Sequence, residues 1–81
     1  MSAGFVVSDK VRRAIFIELM AGESEIERIV KKHRLLKGPA ERAMAGLAEH
    51  DLVARVGKEG WKLTSSGEDT AAELKRNDML R

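Results

Sequence analysis

The sequence predicts a mainly α-helical fold with one small β-hairpin. Three helices form the core, two short strands follow, and a fourth helix closes the chain. Three observations predict it. Apolar residues recur with helical spacing in three successive stretches before residue 50. Two short runs, Leu52-Val53-Ala54-Arg55-Val56 and Trp61-Lys62-Leu63-Thr64, flank Gly57-Lys58-Glu59-Gly60, a good hairpin connection because glycine tolerates positive φ. Ser65-Ser66-Gly67-Glu68 then opens a last helical pattern. With 81 residues, 43% of them hydrophobic and 35% charged, the chain reads as one folded domain over residues 1–81, without repeat, low-complexity tract or linker.

The first helix is expected over about residues 9–20, where Val11, Ala14, Ile15 and Leu19 set the 3.6-residue rhythm. Ser8 is its candidate N-cap and Ala21-Gly22 its stop. The second, over about residues 24–33, opens with Ser24-Glu25-Ile26-Glu27, the pattern of a capping box, and carries Ile26, Ile29 and Val30 as its stripe. Arg34-Leu35-Leu36-Lys37 is the connecting turn, with Leu35 or Leu36 plugging the core. The third, over about residues 39–50, starts at Gly38-Pro39, proline suiting the first helical position. Its inner face is Ala40, Ala43, Met44, Leu47 and Ala48; its outer face is Gly38, Glu41, Arg42, Ala45 and Glu49. Strands follow over about residues 52–56 and 61–64, with Trp61 and Leu63 on one face and Lys62 and Thr64 on the other. The last helix covers about residues 66–77, with Ala71, Ala72 and Leu74 as its strip.

Composition excludes several classes of function. Cysteine is absent, so there is no disulfide framework and no thiolate metal site, which fits a reducing, cytoplasmic setting. The opening MSAGFVVSDK lacks a basic region before its short apolar run, so no secretory signal is expected, and no run is long enough for a membrane span. His33 and His50 lie far apart without a supporting ligand set, so neither metal nor cofactor is expected. Nothing resembles a phosphate loop, a nucleophile elbow or a His–acid pair, and an enzyme is not expected. The net charge of +2 is unevenly spread. Between residues 28 and 62, Arg28, Lys31, Lys32, Arg34, Lys37, Arg42, Arg55, Lys58 and Lys62 outnumber Glu41, Glu49, Asp51 and Glu59, whereas both ends are acidic. A basic middle of this kind is the footprint left by a nucleic-acid contact.

Two segments carry a family resemblance. Leu47-Ala48-Glu49-His50-Asp51-Leu52-Val53 is similar to the end of the recognition helix in small winged helix-turn-helix regulators of the MarR-, PadR- and ArsR-like kind, with Asp51 where those families usually have glycine. Trp61-Lys62-Leu63-Thr64-Ser65-Ser66-Gly67 is similar to their aromatic-x-Leu-Thr-x-x-Gly at the return strand of the wing. The resemblance covers nearly the whole chain. It implies a winged helix-turn-helix that binds double-stranded DNA as a transcription regulator, with the third helix in the major groove and the hairpin as wing.

In that reading Lys31, Lys32, Arg34, Lys37 and Lys58 neutralise phosphates, and the amides of Gly38 and Ala40 present a helix N-terminus to one of them. Arg42 and Glu41 contact base edges, Ala45 touches a thymine methyl, and Arg55 and Lys62 support the wing. Trp61 belongs under the wing rather than on a stacking platform. Apolar residues at both ends suggest a homodimer through the terminal helices: Phe5, Val6, Val7, Ile15, Phe16 and Ile17 at one end, Ala71, Ala72, Leu74, Met79 and Leu80 at the other. Two other classes remain open. One is a winged helix that binds a protein partner within a transcription or replication assembly, favoured by the acidic residues around the third helix. The other is an accessory domain for RNA or single strands.

Overall fold

A computed structural model describes residues 2–78. Over the described residues the protein is mainly helical, with five helices and one two-stranded antiparallel hairpin. The order is α1 (Ser2–Val7), α2 (Lys10–Met20), α3 (Ile26–His33), α4 (Lys37–Glu49), β1 (Val53–Val56), β2 (Gly60–Leu63) and α5 (Ser65–Arg76). The core is built from Val6, Ile15, Phe16, Ile29, Met44, Leu47, Leu52 and Leu74, all fully buried. α2 packs on α3 and α4, and α1 closes the bundle against α2 and α5.

The N-terminal helix α1 was not expected from the sequence. It exists because Ser8 and Asp9 separate it from α2. Asp9, not Ser8, is the N-cap of α2, accepting from the Arg12 amide at 2.9 Å, while the Ser8 hydroxyl bonds back to the Phe5 carbonyl at 3.0 Å. Ala3 and Val6 turn inward. Phe5 is held between the Arg12 guanidinium, 4.0 Å from its ring centroid, and the His50 imidazole, stacked at 3.8 Å. Part of the apolar surplus that suggested pairing between chains is thus used within one chain. Met79 and Leu80, counted with that surplus, lie outside the described residues.

The capping box expected at Ser24 does not form. α3 begins at Ile26, with Glu25 at the N-cap in extended backbone and no side-chain cap. The cause is tertiary. The Ser24 carbonyl accepts from the Trp61 amide at 2.8 Å, and Glu25 pairs with Gly60 as an isolated antiparallel bridge. Pulling residues 24 and 25 onto the hairpin postpones the helix. The Glu23 carboxylate caps this segment instead, accepting from the amides of Glu25 at 3.1 Å and Ser24 at 3.0 Å, which holds its pKa below the ordinary range.

α3 ends on Arg34 in left-handed backbone (φ 53), and the Leu35 amide reaches the Val30 carbonyl at 2.9 Å. Leu35 is half-buried against the core, whereas Leu36 is 74% exposed and is not a core plug. α4 starts at Lys37, two residues before the expected position, so Pro39 is its third residue rather than its first. Proline is still harmless there, because the first four helical amides have no intrahelical partner. The two faces of α4 are as the periodicity predicts, with Ala40, Ala43, Met44 and Leu47 buried and the opposite face exposed. Asp51 adopts the left-handed conformation (φ 58) expected where glycine would be usual, and the Leu52 amide bonds to the Leu47 carbonyl at 3.0 Å.

The hairpin register pairs Val53 with Leu63, Ala54 with Lys62, Arg55 with Trp61, and Val56 with Gly60. α5 is capped one residue earlier than expected. Thr64 accepts from the Gly67 amide at 3.0 Å, donates to the Asp51 carbonyl at 2.5 Å, and sends its own amide to Leu52 at 3.0 Å. A methyl group on Gly67 would stand 2.1 Å from the Leu52 carbonyl oxygen, so only glycine lets α5 meet the turn after α4. The Leu-Thr-x-x-Gly segment is a backbone clasp. Ala72, expected in the apolar strip of α5, is exposed.

Candidate nucleic-acid interface

The outer surface of α4 has two sides. On the side toward α2, Arg42 shares a depression with Pro39, Ala43, Asp9, Val11 and Arg12. On the side toward the hairpin, Glu41 and Ala45 share a cleft with Arg55, Lys58 and Trp61. The sequence placed Glu41 and Arg42 together on one face. The structure splits them, because adjacent helical residues are about 100° apart around the axis.

The N-terminus of α4 is open to solvent. Leu36 occupies the N-cap and supplies no side-chain acceptor. The Ala40 amide, expected to be free for an anion, donates to the Leu36 carbonyl at 3.1 Å, and Pro39 has no N–H. The available donors are therefore Lys37 and Gly38. The Arg42 guanidinium lies back along the first turn, 3.5 Å from where a Cβ at position 38 would stand, an ordinary contact distance. Arg34 and Lys37 stand beside it, both exposed. Among the described residues, Lys31, Arg34, Lys37 and Arg42 form no salt bridge. A half-positive helix end and four solvated cations make this an anion-attracting surface.

Lys32 belongs elsewhere. Its ammonium lies 3.1 Å from Glu18 Oε2 and 3.3 Å from Oε1, and His33 Nε2 sits 2.8 Å from the same Oε2. The Glu18 side chain is only 11% exposed. The His33 hydrogen bond, more than Lys32, holds its carboxyl below the ordinary carboxylate range, against desolvation that acts the other way. Glu18 thus ties the last turn of α3 to α2. Sequence reading missed this hub. Its signal was an acid at a core-facing position of α2, next to Leu19, with a Lys-Lys-His run one helix later.

The hairpin cations are divided as well. Cross-strand register puts Arg55 on the inner face with Trp61, Val53 and Leu63, and Lys62 on the outer face with Ala54 and Val56. The Arg55 guanidinium donates to the Lys58 carbonyl and lies 5.2 Å from the Trp61 ring centroid, stiffening the tip. Lys58 is at the tip itself, and Lys62 borders a groove with Glu23 and Glu68. Trp61 is half-buried, paired with Arg55 one step in from the closing pair of the hairpin.

The two histidines serve different elements, His33 on Glu18 and His50 on Phe5. No helix among the described residues is long and apolar enough to cross a membrane. The chain matches no protein-family model, no curated protein and no solved structure.

Proposed function

We propose that the protein is a winged-helix binder of duplex DNA, a small transcription regulator that enters a major groove with the N-terminal half of α4. The observation that carries this reading is the cluster of Arg34, Lys37 and Arg42, exposed and without ion pairs among the described residues, around the uncapped start of α4. Helix order and the hairpin that follows α4 support it. Lys31, Arg34, Lys37 and the Gly38 amide bind phosphates, Arg42 reaches a guanine edge or the adjoining phosphate, and Lys58 meets the backbone from the hairpin tip. Glu41 and Ala45 border the contact on the hairpin side. Lys32 acts through Glu18, and Arg55 and Lys62 shape the hairpin.

Arg34 adds a specific argument. An arginine in left-handed backbone costs about 1 kcal/mol relative to glycine at the same place. An arginine at this helix stop puts a cation beside the start of α4, where glycine would put none.

Pairing through α1 and α5 remains part of the proposal. Phe5 and Val7 are half-buried and Ala72 is exposed, and these would form the seam. Sedimentation equilibrium tests it: a dimeric mass sustains the pairing, and a monomeric mass at tens of micromolar removes it.

Fluorescence anisotropy with random-sequence duplex, single-stranded DNA and duplex RNA tests the main reading. Four cationic phosphate contacts, or five with Arg42, give a slope of log affinity against log salt of about −3.5 to −4.5 for duplex DNA. No duplex binding at low salt rejects the proposal, and a preference for single strands transfers it to that class.

A further inference from the structure

The start of α2 carries a local electrostatic conflict. Lys10, Arg12 and Arg13 are the only cations that precede Arg28 in the sequence, and all three stand in the first turn of α2, which holds no acid. A helix start is its positive end, so cations there repel it. Asp9 offsets part of this as the N-cap, its carboxylate accepting from the Arg12 amide at 2.9 Å. Among the described residues none of the three cations forms an ion pair.

Arg12 is held in one place. Its Nε donates to the Phe5 carbonyl at 2.8 Å, its Nη2 donates to the Ser8 hydroxyl at 2.7 Å, and the guanidinium lies 4.0 Å from the centroid of the Phe5 ring, which also stacks on His50. Nη1 has no hydrogen-bond partner among the described residues, so part of the donor fork is open. Arg12 and Arg42 line one depression of about 250 Å3, with Val11, Pro39 and Ala43 as its apolar part. Asp9 is the one acid of that lining; it is engaged as a cap and pairs with neither guanidinium. Two arginines from different helices, with open donors and an apolar floor, fit a phosphodiester. The donors take phosphate oxygens, and the sugar carbons rest on Pro39 and Ala43.

We propose that this depression is a phosphate subsite, filled by a backbone phosphate of the DNA strand on the α2 side of α4, a source that rests on the DNA reading. Arg12 and Arg42 hold the phosphate, and Phe5 and Ser8 position Arg12. The helix α1 is then part of the binding apparatus. It fixes a long side chain before the ligand arrives, so less conformational freedom is lost on binding. The phosphate footprint also extends beyond the basic middle of the sequence, into its acidic N-terminal part.

The first arm of the test needs no DNA. NMR of 15N-labelled protein follows titration with inorganic phosphate, against sodium chloride of equal ionic strength. The Nε–H signals of Arg12 and Arg42 are expected to shift saturably with phosphate alone, and Arg42→Gln to weaken the Arg12 response about tenfold. No saturable shift, or equal shifts at Arg28 outside the depression, would overturn the subsite. The second arm is duplex affinity by anisotropy at several salt concentrations. Arg12→Gln is expected to lower the slope of log affinity against log salt by about 0.9, and Phe5→Leu to weaken binding about threefold at an unchanged slope. If Arg12 only latches α1, Arg12→Gln lowers the unfolding midpoint and leaves the slope as it is, which would overturn its role. If Arg12→Gln does not fold, Arg42→Gln in the phosphate titration still decides. Saturable phosphate binding by a protein that binds no duplex at low salt would keep the subsite and reject DNA as its source.

Discussion

The two sides of the outer α4 surface make an instructive contrast. On the side toward α2 the helix has an uncapped first turn, with Arg34, Lys37 and Arg42 around it and, among the described residues, no acid paired to any of them. On the side toward the hairpin, Glu41 joins Glu27 and Glu59 around an apolar cleft. A net charge of +2 conceals this division. Averaged charge describes solubility and long-range steering; recognition depends on which cations and anions the fold brings side by side.

The largest effect tests whether both sides depend on one scaffold. Gly67→Ala would force a methyl group against the Leu52 carbonyl and part α5 from the turn that launches the hairpin. A loss of about 3 kcal/mol or more is expected in urea unfolding, a large share of the stability of a domain this small. A normal midpoint would mean that the Thr64–Gly67 clasp does not set the hairpin.

Next in size is Glu18→Ala, which leaves His33 and Lys32 without their acceptor and is expected to cost about 2 kcal/mol. The pH dependence has a definite sign. Glu18 has a lowered pKa in the folded protein, so its contribution is complete above the unfolded carboxylate pKa and is lost as pH falls through the folded value. Glu23 contributes in the same direction. Stability therefore falls in acid, and Glu18→Gln makes thermal melting less dependent on pH in that range. An equally steep acid loss in the variant would remove Glu18 as its source.

Substitutions on α4 sharpen the contrast directly. Arg42→Ala is expected to weaken duplex binding by about 1–2 kcal/mol, and Lys37→Ala to weaken it for every sequence while reducing the salt slope by about 1. Glu41→Gln, only one residue from Arg42, is expected to leave duplex affinity unchanged or raise it. Equal losses from Arg42→Ala and Glu41→Gln, measured by anisotropy, would erase the two-sided description. The smallest effect is Arg34→Gly. It should raise stability by about 0.5–1 kcal/mol while lowering duplex affinity, because it relieves the left-handed backbone and removes a cation. A variant both more stable and equally tight would show Arg34 to be a helix stop alone.

Elements with strong local signals were legible from the chain. The period of Ala40, Ala43, Met44 and Leu47 defined the two faces of α4, and the glycines at 57 and 60 with the β-prone runs beside them defined the hairpin. Where local and tertiary signals competed, the local one lost. Ser24 and Glu27 had the spacing of a capping box, but Ser24 was drawn into hydrogen bonding with Trp61. Leu36 looked like a core residue, yet one leucine from the turn was enough and Leu35 filled the place.

For the candidate site, the cations themselves were readable, but their neighbours were not. Nothing in the spacing of Glu18 and Lys32, 14 residues apart, required them to meet. Nor did the run Arg55, Lys58, Lys62 reveal that strand alternation and register put Arg55 against Trp61 and Lys62 on the opposite face.

By itself the sequence determined the helical periods, the hairpin turn and the left-handed stop at Asp51. Each of these depends on backbone sterics or on residues a few positions apart. The tertiary structure alone decided which charges are paired, which face of the hairpin meets α4, and that Phe5 packs on Arg12 and His50 within its own chain. Those outcomes arise from contacts between distant segments, where packing and long-range hydrogen bonds outweigh the small free energies of local propensity.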